Sequence, residues 1–94
     1  MSDTPPGFAD NTARGRLELT EQGLTAFASY RRSGDILSIT HVEAPIPLRG
    51  TGAAGRLMTE AALYARAQNL KLAPVCSYAV AWFRRNTAFN DILE

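Results

Sequence analysis

The sequence contains a single cysteine, Cys76, so no disulfide can form within the chain. A lone thiol is typical of proteins that work in the reducing cytosol, where disulfides rarely persist. We therefore expect a cytoplasmic protein that holds together without covalent cross-links. The residue pattern predicts no metal site.

Charge of one sign and long apolar runs are also lacking. Ten Lys and Arg residues stand against nine Asp and Glu, which leaves a net charge of +1 with His neutral. Such a weak field does not attract nucleic acid or an anionic membrane, so neither is expected as a partner. No apolar run approaches the roughly 20 residues that span a bilayer, and residues 1–16 lack the apolar core of a signal peptide.

The length of 94 residues fits one domain. Residues 1–13 are rich in small, polar and turn-forming residues, which predicts a disordered tail in which Phe8 alone is suited to dock on a core. The folded domain is therefore expected to comprise residues 14–94.

Alternation and turn residues predict three consecutive strands: residues 14–20, 24–32 and 36–43. Tight turns join them, which makes an antiparallel meander. In the third strand, regular alternation gives one face four members: Leu37, Ile39, His41 and Glu43.

Apolar residues at helical spacing predict a helix over residues 53–68. A short strand at residues 71–75 follows, and then a second helix that is capped by Ser77 and runs to about Arg85. Because a helix joins the third and fourth strands, they should be parallel, with a right-handed crossover. The predicted class is α/β (α+β), a compact fold with an antiparallel meander, a right-handed β-α-β crossover and a C-terminal helix.

A glycine-rich loop at residues 47–55 lies between the third strand and the first helix. The first turn of a helix has unpaired N–H groups and the positive end of the helix dipole, so it suits a phosphate. Gly50 and Gly52 let the backbone approach the ligand closely, and Arg49 adds a cation at the rim. The predicted anion site comprises Arg49, Gly50, Thr51, Gly52, Ala53 and Ala54.

The G-x-G-x-x-G spacing at residues 50–55 is also that of a dinucleotide fingerprint. A meander precedes it, however, and residues 72–76 offer no carboxylate for a ribose at the end of the next strand. The lysine of a Walker-type loop is absent as well. A loop that needs glycine merely to turn into the helix stays an alternative.

Residues 49–54 resemble the R/Q-x-x-G-x-G/A pattern of the GNAT superfamily of N-acetyltransferases. Three further elements resemble its short, single-domain YjdJ-type subgroup: Thr40 to Pro45 as T-H-x-E-x-P, Pro74 to Cys76 as P-x-C, and the run Trp82 to Arg85. The resemblance covers about residues 14–93. It implies acetyl-CoA as the cofactor, with its pyrophosphate on the loop and its pantetheine arm between two splayed parallel strands.

The resemblance also assigns residues by position. The backbone of Val42 and Ala44 would meet the pantetheine amides, and Arg84 and Arg85 are candidates for the adenosine-end phosphate. Two departures stand out: the helices that wall the family's pocket between its first two strands are missing, and Trp82 stands nearest to the usual tyrosine acid.

Four side chains near the thioester end are candidates for chemistry or contact. Cys76 could accept an acyl group or protonate the departing thiolate, although most free cysteines are simply small buried hydrophobes. His41 and Glu43 point the same way on a strand and are candidate general bases, the alternatives being a hydrogen-bonded histidine and a solvated glutamate. Tyr78 is a candidate for the wall of the cofactor slot, or a packing residue.

The sequence thus predicts an acetyl-CoA-dependent N-acetyltransferase that acts on an amine, such as a protein lysine or a polyamine-like acceptor, as a monomer or weak homodimer. Two other classes stay open. One is a non-catalytic module that binds coenzyme A, and the other is a small protein–protein adaptor without a ligand.

Overall fold

A computed structural model describes residues 7–94. Its strands are β1 (Phe8–Asn11), β2 (Arg16–Glu21), β3 (Leu24–Ser33), β4 (Ile36–Glu43) and β5 (Lys71–Pro74). Its helices are α1 (Ala53–Ala67) and α2 (Ser77–Arg85), with short 3-10 helices at Ile46–Leu48 and Thr87–Ile92. None of the helices in this part of the chain is long and apolar enough to cross a membrane.

The five described strands form one sheet in the order β1-β2-β3-β4-β5. The first three pairings are antiparallel, and β4 pairs with β5 in parallel after the chain has passed through α1. This confirms the predicted class: a meander, a β-α-β crossover and a C-terminal helix.

Strand β1 corrects the predicted tail. Phe8 to Asn11 pair with β2, and the Phe8 ring is 6% exposed and packs at 5.6 Å from the ring of Tyr64. Gly7 leads into the strand with φ +90°, and a Cβ there would lie 2.6 Å from the carbonyl oxygen of Thr20. Four residues are too short a segment for a periodic signal. Residues 1–6 of the expected tail lie outside the described part.

Both helices pack on one face of the sheet and share a single core with it. The strands contribute mainly Leu17, Leu19, Ala26, Ala28, Leu37, Ile39 and Leu72. The helices contribute mainly Leu57, Met58, Ala61, Ala62, Ala65, Ala79, Trp82 and Phe83. Alanines on both sides of this contact let α1 approach the sheet closely. The opposite face, which we call the outer face, has no buried residue among those described.

A β-bulge interrupts strand β4. Tyr30 pairs with Ile39 but Ser29 pairs with His41, so Thr40 is the extra residue. An extra residue shifts the alternation by one, so Val42 packs against the core while His41 is exposed on the outer face. The predicted face of four residues is therefore wrong: Leu37 and Ile39 point to the core, but His41 and Glu43 do not.

Asp10 connects three elements through its carboxylate. The Tyr30 hydroxyl donates to Oδ1 at 2.6 Å, and the Tyr64 hydroxyl donates to Oδ2 at 2.7 Å. These bonds tie β1 to β3 and to α1. Burial, followed by the hydrogen bond to Asp10, raises the pKa of Tyr64 to about 12 and raises the pKa of Tyr30 further above its usual range.

We predict that Asp10→Ala lowers the free energy of unfolding by about 2 kcal/mol, because two half-buried phenols lose a charged acceptor. Urea unfolding followed by circular dichroism measures this change. Asp35→Ala, at an exposed turn residue, is the control and should lower the free energy of unfolding by about 0.5 kcal/mol or less. Equal losses in the two variants would contradict a structural role for Asp10.

The same network predicts a loss of stability at high pH. A tyrosine of the unfolded chain ionises near pH ~10, whereas native Tyr64 keeps its proton to about 12. The native state therefore binds more protons in this interval, and stability falls as the pH rises. Unfolding free energies at pH 9 and 11 should fall less steeply for Tyr64→Phe than for the wild type. Identical slopes would count against the raised pKa.

Candidate functional site

The candidate site begins where β4 and β5 separate. Their pairing ends at Ile39 opposite Pro74, although β4 continues to Glu43. The carbonyl of Ile39 accepts the last two bonds, from the N–H of Val75 at 3.0 Å and from that of Cys76 at 3.1 Å. Beyond this point a gap opens between the end of β4 and the start of α2.

Val42 presents its backbone to this gap. The Ile39 carbonyl points toward β5, and backbone polar groups alternate in direction along a strand. Val42 stands opposite Ala28 of β3. The Tyr30 N–H donates to the Gly15 carbonyl on the β2 side, so by alternation Ala28 also directs its backbone groups to β2, and the N–H and C=O of Val42 are left on the gap side. The carbonyl of the neighbouring Ala44 accepts from Arg49 Nε at 3.1 Å. Contacts of Val42 and Ala44 with a ligand stay predictions.

The start of α1 lies beside the gap. Its N-cap is Gly52, with φ +87° and no side chain to cap the helix. The first intrahelical bond runs from the Arg56 N–H to the Gly52 carbonyl at 3.0 Å, so the amides of residues 53–55 have no partner within the helix. They face a cleft of about 330 Å³ lined by Ala44, Leu48, Arg49, Gly50, Gly52, Ala53, Ala54, Gly55 and Tyr78.

Tyr78 closes the cleft from the side of α2. Its hydroxyl lies 3.9 Å from the place where a Cβ on Gly55 would stand, an ordinary van der Waals distance, so Tyr78 packs beside the first turn of α1. Thus Tyr78 and the predicted loop residues lie together, with the exception of Thr51.

Thr51 does not line the cleft. Both its N–H and its hydroxyl donate to the carbonyl of Leu48, and its own carbonyl accepts from Arg56 Nη1 at 2.8 Å. Its polar groups are therefore used inside the loop and shape it from within. The sequence prediction placed Thr51 among the ligand contacts, which the geometry does not favour.

Arg84 and Arg85 also stand apart from the cleft. Both are exposed in the last turn of α2. Tyr78 lies at the cleft end of α2, and Arg84 follows it by six residues, which is about 9 Å along a helix. The structure gives their predicted role at the adenosine-end phosphate no support. Arg49 is the predicted cation that does reach the rim.

Arg56 was not predicted, and it contacts the glycine-rich loop through the Thr51 carbonyl. Its Nε and Nη2 donate to the two carboxylate oxygens of Glu21 at 2.7 and 2.8 Å. Hydrogen bonding within the pair lowers the pKa of Glu21 and raises that of Arg56. Because the two residues are 35 positions apart, neither local spacing nor helical periodicity could reveal the contact.

Cys76 is the N-cap of α2. Its Sγ accepts the N–H of Ala79 at 3.4 Å, and the side chain is half-buried against the core. The predicted cap, Ser77, is instead the exposed first residue of the helix. Cys76 thus lies on the helical side of the sheet.

His41 and Glu43 lie on the outer face. His41 Nε2 and Glu43 Oε1 are 3.0 Å apart, with the side chains 58% and 51% exposed. The His41 ring is 6.2 Å from that of Phe27. The structure therefore brings the two candidate bases together but places them across the sheet from Cys76. Among residues 7–94, no three His, Cys, Asp or Glu side chains group closely enough to hold a metal ion.

The site thus combines a helix start without a side-chain cap and two parallel strands that part beside it. A family model described as GCN5-related N-acetyl-transferase matches residues 16–92. The chain belongs to the GCN5-related N-acetyltransferase family, whose enzymes transfer acyl groups. This confirms the predicted GNAT membership, while the YjdJ-type subgroup stays a prediction.

A solved structure agrees with this assignment. The chain is similar to the NMR solution structure of a GCN5-like protein from Staphylococcus aureus, described as a candidate N-acetyltransferase. The identity is 20% and the TM-score 0.66, over 100% of this chain and 91% of that one. At this identity the likeness shows the fold. No curated protein matches the chain.

The capping role of Cys76 generates a prediction about stability. Cys76→Ala removes the acceptor of the Ala79 N–H and should lower the free energy of unfolding by about 1 kcal/mol. Cys76→Ser supplies a better acceptor at the same place and should be at least as stable as the wild type. Ser77→Ala should change little, and a larger loss there than in Cys76→Ala would show that Ser77 is the cap. Thermal unfolding of the three variants distinguishes these outcomes.

Proposed function

We propose that the protein transfers an acetyl group from acetyl-CoA to a primary amine, with a protein lysine or a polyamine-like molecule as acceptor. The observation that carries the proposal is the free first turn of α1, which opens into the cleft beside the β4–β5 gap. The family gives acyl transfer in general, and the donor and acceptor are our inference.

The pyrophosphate of the coenzyme would lie on the loop. There the unpaired N–H groups of residues 53–55 and the helix dipole favour an anion, and Arg49 at the rim adds a positive charge. The rest of the lining is glycine, alanine, leucine and tyrosine, so no carboxylate repels the phosphates.

The pantetheine arm would enter the gap and donate an amide N–H to the Val42 carbonyl. The thioester would then lie beyond Ile39, near the point where β5 gives way to α2. The N–H of Val42 is the proposed donor to the oxyanion that forms there, since a backbone amide fixed by a sheet is preorganised.

The acceptor would approach from the outer face. An ammonium group must lose a proton before its nitrogen can attack, and the His41–Glu43 pair offers two groups that could take it. The nitrogen forms a bond to the thioester carbon, the carbon–sulfur bond breaks, and coenzyme A leaves as a thiolate. The Cys76 thiol, on the helical side, is the proposed source of the proton that this thiolate receives.

An open outer face supports a protruding acceptor. No described residue of that face is buried, and Val75 at the β5 side of the gap is 62% exposed. A lysine on a protein surface or a linear polyamine reaches such a site without an enclosing pocket. The apolar stem of either would suit Val75 and Phe27.

We predict that Glu43→Gln lowers kcat by about 100-fold, the size expected for a lost general base, with an unchanged Kd for coenzyme A. The assay follows acetyl transfer from acetyl-CoA to a lysine peptide and to spermidine by mass spectrometry. Glu60→Gln, at a partly exposed glutamate of α1, is the matched control and should keep full activity.

The same samples separate the rival functions. Tight coenzyme A binding without transfer to any amine would support a non-catalytic module. No increase in melting temperature at millimolar coenzyme A would exclude both ligand-based functions, because a bound ligand stabilises by mass action. An acetyl adduct on the protein that Cys76→Ser removes would assign a covalent step to that thiol.

A further inference from the structure

The guanidinium of Arg56 contacts the glycine-rich loop without lining the cleft. Arg56 donates through Nη1 to the Thr51 carbonyl at 2.8 Å, and through Nε and Nη2 to Glu21 at 2.7 and 2.8 Å. Glu21 ends strand β2, so these three bonds tie the β2–β3 turn to the loop. Arg56 itself is not part of the cleft lining.

The bond to Thr51 decides how the next amide is oriented. In a trans peptide the C=O of one residue and the N–H of the next point in opposite directions. Every peptide bond in the described chain is trans. With the Thr51 carbonyl held toward Arg56, the Gly52 N–H points the other way. Gly52 itself lines the cleft.

Gly52 also makes room for the guanidinium. A Cβ at this position would lie 3.0 Å from Arg56 Nη1, and the φ of +87° is one that L side chains rarely adopt. The glycine therefore allows both the backbone conformation and the close position of Arg56.

We propose that Arg56 and Glu21 are positioning residues for the phosphate-binding loop: Arg56 holds the Thr51 carbonyl away from the cleft so that the Gly52 amide faces the ligand, and Glu21 fixes Arg56. The inference rests on the proposed function, because it takes the pyrophosphate of coenzyme A as the ligand. Neither residue touches the reacting atoms.

An arginine–carboxylate ion pair similar to that of Arg56 and Glu21 lies at the C-terminal end of helix α1. Arg66 donates through Nε and Nη2 to Asp91 at 2.9 and 2.7 Å, and through Nη2 to the Ala88 carbonyl at 3.1 Å. The two arginines are similarly exposed, at 49% for Arg56 and 44% for Arg66. Arg66 therefore controls for the loss of an ion pair and a carbonyl contact far from the cleft.

The first test compares Arg56→Met with Arg66→Met by calorimetric titration with coenzyme A. We expect Kd to rise about 10-fold in Arg56→Met, the effect of one misdirected hydrogen bond to a charged group, and less than twofold in Arg66→Met. With acetyl-CoA as donor, KM should rise likewise while kcat stays close to that of the wild type. With S-acetylpantetheine, which has no pyrophosphate, the KM of Arg56→Met should equal that of the wild type.

A charge reversal separates positioning from stability. Glu21→Arg combined with Arg56→Glu restores the ion pair, but the new carboxylate cannot donate to the Thr51 carbonyl. We expect the melting temperature to recover toward that of the wild type while the coenzyme A affinity stays low. Recovery of both would overturn the proposal, and so would equal affinities of Arg56→Met and Arg66→Met when the wild type binds. A wild type that binds no coenzyme A would overturn the proposed function as well.

Discussion

The carbonyl oxygen of Ile39 accepts the amides of both Val75 and Cys76, and this shared acceptor fixes where the parallel strands separate. One residue later, the bulge at Thr40 shifts the alternation of β4. Without the bulge, the side chain of Val42 would point to the outer face and those of His41 and Glu43 toward the core. The gap, the backbone of Val42 that faces it and the exposure of His41 and Glu43 therefore depend on two adjacent residues.

The parting of β4 and β5 also divides the candidate groups of the site between the two faces of the sheet. The helical face supplies the free amides of α1, the Tyr78 wall and the Cys76 thiol. The outer face supplies His41 and Glu43 and is open to solvent. In the proposed reaction, a donor in the gap would be held from one side and attacked from the other, which would keep the acceptor away from the glycine-rich loop.

Elements whose apolar residues recur at a regular spacing could be predicted from the sequence, and so could the glycine-rich loop. The helix stripe of Leu57, Met58 and Ala61 and the turns of the meander are local signals, and the structure contains the corresponding elements. The features that escaped prediction depend on contacts between distant residues. Strand β1 is stabilised by the pairing of Asp10 with Tyr30 and Tyr64 rather than by its own composition.

The same reason explains the errors within the site. Strict alternation places His41 and Glu43 on the face of Leu37, whereas the bulge moves the core position from residue 41 to Val42. The loop motif includes Thr51, which the structure places off the cleft lining, because a motif gives positions and not directions. Arg56 donates to the Thr51 carbonyl and to Glu21, and the second contact joins residues too far apart in the sequence for a local pattern to predict it.

In the proposed complex, the free amides at the start of α1 bind the pyrophosphate of coenzyme A. An amide-resolved NMR titration with coenzyme A measures this contact. We expect the largest shifts on the amides of residues 52–55, followed by that of Val42, with little change around Arg66 and Asp91. Shifts that are absent, or that centre on the far end of α1, would contradict it.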